Sequence, residues 1–270
     1  MNSVLEIASL LIDNLYRLLN KLPQYISLDN PEETYEVIFE IFYQALHHKP
    51  FLLNLHRDAR LSLVLQYAWE FLNVVNRVVS SPDIDIHALS REMLRRAYAR
   101  IAETPGNMSR YVVVCDGLSI IDAAYIAYRS KRENMEPFII PLINPGGATE
   151  TYKFILEPHS YLKGYNLTLN DIARIIAEKI EAKDSIVFRG YDESIHRLKN
   201  VHAAEIVEAM YGLASSLYNK IARLKKEYNS DVVVLSDHGY DVIESSGGLY
   251  DVNHFWSPKS LSVIAPLLII

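Results

Sequence analysis

Apolar residues recur every three to four positions through VLEIASLLIDNLYRLLNKL, residues 4–22, which is the period of an amphipathic helix. The same period returns in ETYEVIFEIFYQALHH (33–48), RLSLVLQYAWEFLNVVNRVV (60–79) and HALSREMLRRAYARIAE (87–103). Asn30 and Pro31 announce the second helix: the asparagine caps free N–H groups, and proline lacks a donor where none is needed. SSPDID separates the third helix from the fourth, and Thr104-Pro105-Gly106 closes the helical part. Beyond Gly106 the pattern changes. YVVVC, PFIIPLI, SIVF, DVVVLS and SVIAPLLII are short, unbroken apolar runs, the signature of strands buried on both faces. Helical stretches lie between them: LSIIDAAYIAYRSKR, then DIARIIAEKIEAK behind a Thr168/Asp171 capping box, then a long helix over about 200–228. Strands alternating with helices predict a parallel sheet with helices on its faces. The expected organisation is an all-α region over 1–105 and an α/β domain over 106–270.

Composition adds exclusions. Half of the 270 residues are apolar and 22% are charged, which suits a large packed core. A formal net charge of −6 gives no bulk attraction to nucleic acid or anionic lipid. Cys115 is the one cysteine, so an intrachain disulfide and a cysteine-rich zinc module are excluded. The first twenty residues carry Glu6 and Asp13 and no basic leader, and LSVIAPLLII is too short to cross a bilayer. A cytoplasmic protein without a membrane anchor is expected.

The chemistry sits at the strand ends. In open α/β sheets, ligands bind beyond the carboxyl ends of the strands. YVVVC leads to Asp116, SIVFRGY to Asp192 with His196 four residues on, and VVVLS to Asp237 and His238. His254, in DVNHFWSP, precedes the last apolar run. Carboxylates and imidazoles without a thiolate suit zinc, manganese or iron. Asp192 and His196 share one face if the turn between them is helical. Asp237 and His238 leave a strand in opposite directions unless Gly239 allows a sharp bend. Taken singly each element has a plainer reading: Asp-Gly is ordinarily a turn, and Asp-x-x-x-His an exposed pair.

These residues resemble the alkaline phosphatase superfamily, most closely its PglZ domain family, over about residues 108–270. YVVVCDGL is similar to the family's first metal-binding strand, IVFRGYDESIH to its central Asp-x-x-x-His element, VVVLSDHGY to its SDHG strand end, and NHFWSPKSLSVIAPLLI to its closing segment. Ile195 departs from the pattern, since glycine often precedes the histidine there. The resemblance implies a hydroxyl nucleophile at a helix start. INPGGATETYKFIL is the matching stretch, with Thr149 as first choice, Thr151 as rival and Ser119 as a weaker one. As a plain reading, Thr149 caps its helix. The resemblance further implies two divalent metal ions, zinc first and manganese second. One would be held by Asp116, Thr149, Asp237 and His238, the other by Asp192, His196 and His254. The implied activity is a phosphodiesterase or phosphatase acting on a phosphate ester through a phospho-threonine. The alternative from another class is a non-catalytic, metal-containing binding or regulatory module of a multi-component defence or signalling system. The helical region is expected either to buttress the sheet or to dock a protein partner or a second copy, and Phe39, Phe42, Tyr43, Trp69 and Phe71 are read as its core. Arg189, Arg197 and Lys153 are candidates for holding a phosphate oxygen, and His159 and His202 are histidines within range of the site. His47, His48, His56 and His87 are read as surface residues of the helical part.

Overall fold

The structure is a computed structural model that describes residues 4–26, 28–55, 58–103, 109–156, 167–254 and 260–270. Four helices come first: α1 (Val4–Tyr25), α2 (Pro31–His47), α3 (Ala59–Ser80) and α4 (Ile86–Glu103). Asn30 caps α2 as its sequence suggests, its side chain accepting the Glu32 N–H at 3.0 Å. The break at Thr104-Pro105-Gly106, and also His56 and His159, lie outside the described residues.

Five strands form the main sheet: β1 (Arg110–Cys115), β2 (Phe138–Ile143), β3 (Asp184–Phe188), β4 (Asp231–Ser236) and β7 (Ile264–Ile269), in the order β2-β7-β4-β1-β3. The intervening helices are α5 (Ile120–Arg132), α6 (Thr149–Leu156), α7 (Leu169–Lys179), α8 (Tyr191–Arg197) and α9 (Ala203–Tyr228). Ser119 and Thr168 open α5 and α7 with capping boxes, completed by Asp122 and Asp171. Consecutive residues of β1, β2, β4 and β7 are buried, and since successive side chains point to opposite faces, both faces of the sheet are covered. β3 is the partly exposed edge.

The sheet is mixed. β1 pairs in parallel with β3 and β4, but β7 runs antiparallel to both β4 and β2. The physical reason is the connection. A parallel pair needs a crossover of a dozen or more residues, usually a helix. Between β4 and β7 the described residues instead form a small antiparallel ribbon, β5 (Asp241–Glu244) and β6 (Tyr250–Asn253). The turn residues Ser246, Gly247 and Gly248 lie between its strands, and both glycines have positive φ.

α1 and α4 lie against β2, α2 lies against α5 and α9, and one apolar cluster runs from Leu11, Phe39 and Phe71 through Val113 and Ile126 to Leu267. Phe39, Phe42, Tyr43 and Phe71 are core, as expected. Trp69 is not: it is 43% exposed on the outer side of α3. His47 likewise differs from a surface residue, being half-buried with its ring 4.4 Å from that of Tyr43. Among the described residues no helix is long and apolar enough to cross a membrane.

Candidate metal centre

β4, β1 and β3 are neighbours and run the same way, so Asp237, Asp116 and the start of α8 emerge at one edge of the sheet. β2, antiparallel to β7 as β4 is, ends at that edge too and leads through Asn144-Pro145-Gly146-Gly147 into Thr149. This is how residues far apart in sequence meet.

Three local devices aim the side chains. Gly117 turns the chain after Asp116 with φ +86°, and a Cβ there would stand 3.1 Å from Ile195 Cδ1 and 3.4 Å from His238 Cε1. Ile195 thus fills the space beneath the site from a fully buried position and displaces no candidate ligand. Gly190, at φ +130°, starts α8, whose helical turn puts Asp192 and His196 on one face with His196 Nε2 3.3 Å from Asp192 Oδ1. The Asp192 N–H donates to the Asp116 carbonyl at 3.2 Å, fastening α8 to the end of β1. β6 is tied to the segment after α8 by Val252 N–H to the Leu198 carbonyl at 2.8 Å and Tyr250 N–H to the Val201 carbonyl at 2.8 Å. His254 follows β6, and its Nδ1 lies 3.8 Å from Asp192 Oδ1.

All seven sequence-read site residues come together. The ligand atoms of Asp192, His196 and His254 lie within 4.8 Å of one another, and so do those of Asp116, Asp192 and His238. Asp192 belongs to both groups. His238 Nε2 is 3.6 Å from Asp116 Oδ1 and 3.7 Å from Asp237 Oδ2. Its Nδ1 donates to the Gly239 carbonyl at 2.9 Å, so Nε2 is the nitrogen that faces the carboxylates, as an N–H donor while the ring is charged and as the ligand atom once a metal displaces that proton.

Asp237 is fully buried. Its Oδ1 accepts the N–H groups of Gly117 at 3.3 Å and His238 at 3.1 Å, and its Oδ2 accepts the Thr149 hydroxyl at 2.5 Å. Burial pushes its carboxyl pKa up, and Asp116 adds to this against the pull of His238 and the Thr149 hydrogen bond. For His238, burial disfavours the charged form, but Asp237 and then Asp116 outweigh it and raise the pKa to about 9. Burial, then the charge of His238, lowers that of His254.

The expected bend at Gly239 has a different basis. Gly239 does not adopt a positive φ, and a Cβ there would lie 2.7 Å from the Leu261 carbonyl oxygen and 3.2 Å from that of Ile264. What the position requires is closeness of two backbones.

The three hydroxyl candidates separate clearly. Ser119 Oγ accepts the Ile121 N–H at 3.0 Å as the cap of α5. Thr151 Oγ1 donates to the Ala148 carbonyl at 2.9 Å. Thr149, the first residue of α6, turns its hydroxyl away from its own helix toward Asp237. Of the basic candidates, Lys153 pairs with Glu150 at 2.6 Å, Arg197 reaches Glu193 at 3.8 Å on the surface, and Arg189 is exposed. His202 stands exposed at the start of α9, its N–H donating to Glu205 Oε1 at 3.1 Å. Cys115 is fully buried in β1.

The donor set fits divalent metal. Two carboxylates and three imidazoles make up the two ligand groups, Asp237 stands against His238 beside them, and His254 Nδ1 is a buried polar atom with no hydrogen-bond partner among the described residues. A buried nitrogen kept neutral and unbonded is expensive unless its lone pair has a cation to face. The chain matches no protein-family model, and no curated protein shows significant similarity to it.

Proposed function

We propose that this protein is a metal-dependent phosphoesterase with Thr149 as its nucleophile. The observation that carries the reading is the Thr149 hydroxyl bonded to Asp237 beside a five-residue cluster of carboxylates and imidazoles. The resemblance of YVVVCDG, IVFRGYDESIH and SDHG to the alkaline phosphatase superfamily supports it from the sequence side.

Asp116, Asp237 and His238 would hold one ion and Asp192, His196 and His254 the other, with Asp192 near both. Zinc or manganese bound there supplies Lewis acidity, lowering the pKa of a hydroxyl and offsetting charge on phosphoryl oxygens. Asp237 fixes the Thr149 hydroxyl with its proton directed at Oδ2, so the oxygen lone pairs face outward from the carboxylate. The start of α6 adds N–H groups that have no partner within the helix and the positive end of its dipole, which favour a phosphoryl oxyanion. Attack by Thr149 Oγ1 forms an O–P bond and breaks the bond from phosphorus to the ester oxygen, which departs as the alcohol with the proton that the Thr149 hydroxyl gives up through Asp237 Oδ2. Water then hydrolyses the phospho-threonine, releasing phosphate from a monoester or a phosphate monoester from a diester, and restores the hydroxyl.

Hydrolysis of bis-p-nitrophenyl phosphate and p-nitrophenyl phosphate by protein reloaded with zinc or manganese tests this. Turnover that falls about 10³-fold or more in Thr149→Ala is the expected result. The preferred ester assigns diesterase or monoesterase. No turnover with either metal overturns the reading in favour of a binding module.

A further inference from the structure

We propose that Asn144 is a positioning residue that sets Thr149 against Asp237, an inference that rests on the phosphoesterase reading. Asn144 directly follows β2 and is fully buried. Its Nδ2 group makes two hydrogen bonds, to the Asp237 carbonyl at 2.7 Å and to the Ala148 carbonyl at 2.8 Å. Ala148 is the residue immediately before Thr149. One planar amide therefore grips the backbone on both sides of the Thr149–Asp237 hydrogen bond.

The geometry leaves this amide no alternative orientation. Both acceptors are carbonyls, so the nitrogen must face them, and Oδ1 accepts the Gly146 N–H at 3.3 Å. The Asn144 N–H donates to the Val263 carbonyl at 2.8 Å, and its own carbonyl accepts the Gly147 N–H at 3.0 Å. Every polar group of the residue is used. A residue that served only to fold the Pro145-Gly146-Gly147 turn would need the Gly146 and Gly147 bonds alone. The bond to Asp237 is of another kind: in the strand order β2-β7-β4 it passes beyond β7 to the end of β4. Thr149 and Asp237 sit on different elements, 88 residues apart in sequence, and a donor and acceptor in such a pair drift apart unless something ties their main chains. Misplacement of a reacting group by about 1 Å can lower a rate about 100-fold.

The test is Asn144→Asp, which keeps the shape and the Gly146 acceptor and removes both N–H donors, read by two independent measurements. With bis-p-nitrophenyl phosphate, kcat should fall by about 10- to 100-fold while KM changes by less than about threefold. Asn144→Ser, which retains one hydroxyl donor, should recover part of kcat. With the protein reloaded with Co²⁺ alone, the visible d–d bands should shift at unchanged cobalt stoichiometry, because Asp237 has moved. Unchanged kcat and unchanged bands in folded Asn144→Asp overturn the proposal. If Asn144→Asp does not fold, judged by circular dichroism, Asn144→Ser decides by the same two readouts. If wild type hydrolyses no ester, the phosphoesterase reading fails by itself and the cobalt bands alone decide the role of Asn144. A wild type that also takes up no cobalt overturns both.

Discussion

Thr149 and Thr151 stand two residues apart in the first turn of α6, and their hydroxyls serve different acceptors: Asp237 Oδ2 at 2.5 Å for Thr149, the Ala148 carbonyl at 2.9 Å for Thr151. Valine replaces either threonine with nearly the same shape and no hydroxyl. Thr149→Val should abolish ester hydrolysis. Thr151→Val should keep kcat within about threefold of wild type and lose about 1 kcal/mol of stability, the usual worth of one hydrogen bond. Steady-state kinetics and urea unfolding of the two variants check both statements. Comparable activity loss in both would remove the distinction.

Asp192 lies in both candidate ligand groups, whereas His196 lies in one. Asp192→Asn should therefore lower zinc uptake at both positions, and His196→Ala at one. Metal content by mass spectrometry after equilibration in a chelator-buffered zinc series separates a stoichiometry reduced by one ion from a loss of both. Chelation of wild-type protein should remove turnover, and zinc or manganese should restore it.

The strands and the acids at their ends were legible because buried strands announce themselves as apolar runs, and a sheet's topology gathers their carboxyl ends at one edge. Asp116, Asp192 and Asp237 each follow such a run. The direction of β7 was not legible, since SVIAPLLII reads the same whichever way it runs, and what decides it is that the described residues of the connection form the β5–β6 ribbon in place of a crossover helix. The β5–β6 ribbon carried a signal, ESSGGLY, between weakly alternating segments too short to stand out. Asn144 left none: an asparagine before Pro-Gly-Gly reads as a turn, and its bond to Asp237 exists only once β2, β7 and β4 lie side by side. Trp69 shows the converse error, in which helical spacing suggests burial but the face belongs to solvent.

Asp122 and His47 should give the stability curve two opposed slopes. Asp122 is fully buried between Tyr35, whose hydroxyl donates at 2.6 Å, the Ser119 N–H at 3.0 Å and the Tyr240 hydroxyl at 3.4 Å. Burial outweighs these donors and raises its pKa from 3.8 to about 7. Between those values the folded chain holds a proton that the unfolded chain releases, so stability is present at low pH and is lost as pH rises through about 7. His47 behaves oppositely: burial and then the Lys49 charge lower its pKa from 6.5 to about 4. The unfolded chain takes up the proton first, so this contribution is present above 6.5 and is lost as pH falls toward 4. Asp122→Asn should gain on wild type as pH rises across this range, and His47→Phe as pH falls. Urea midpoints of the three proteins measured across the range test the signs, and a parallel set of curves contradicts both.

Gly239→Ala isolates the closeness of two backbones from the freedom of one. Gly239 follows the Asp237-His238 pair, its N–H donates to the Ser262 carbonyl at 3.0 Å, and its φ lies outside the left-handed region. Alanine therefore meets no conformational penalty there, only the Leu261 carbonyl oxygen 2.7 Å from its methyl and that of Ile264 at 3.2 Å. Both are main-chain atoms beside the entry to β7 and cannot rotate aside as a side chain would. The segment must separate from the end of β4, which should cost about 1–3 kcal/mol and loosen His238, whose Nδ1 is held by the Gly239 carbonyl. Gly212, within α9, is the control: a methyl group on its Cα would meet nothing within 4 Å, and Gly212→Ala should stabilise the helix by about 1 kcal/mol. Thermal unfolding and zinc affinity of the two variants give the test. If Gly239→Ala unfolds like wild type and binds zinc equally well, the contact with Leu261 does not hold the Asp237-His238 corner in place, and its aim comes from Gly117 and Asn144 alone.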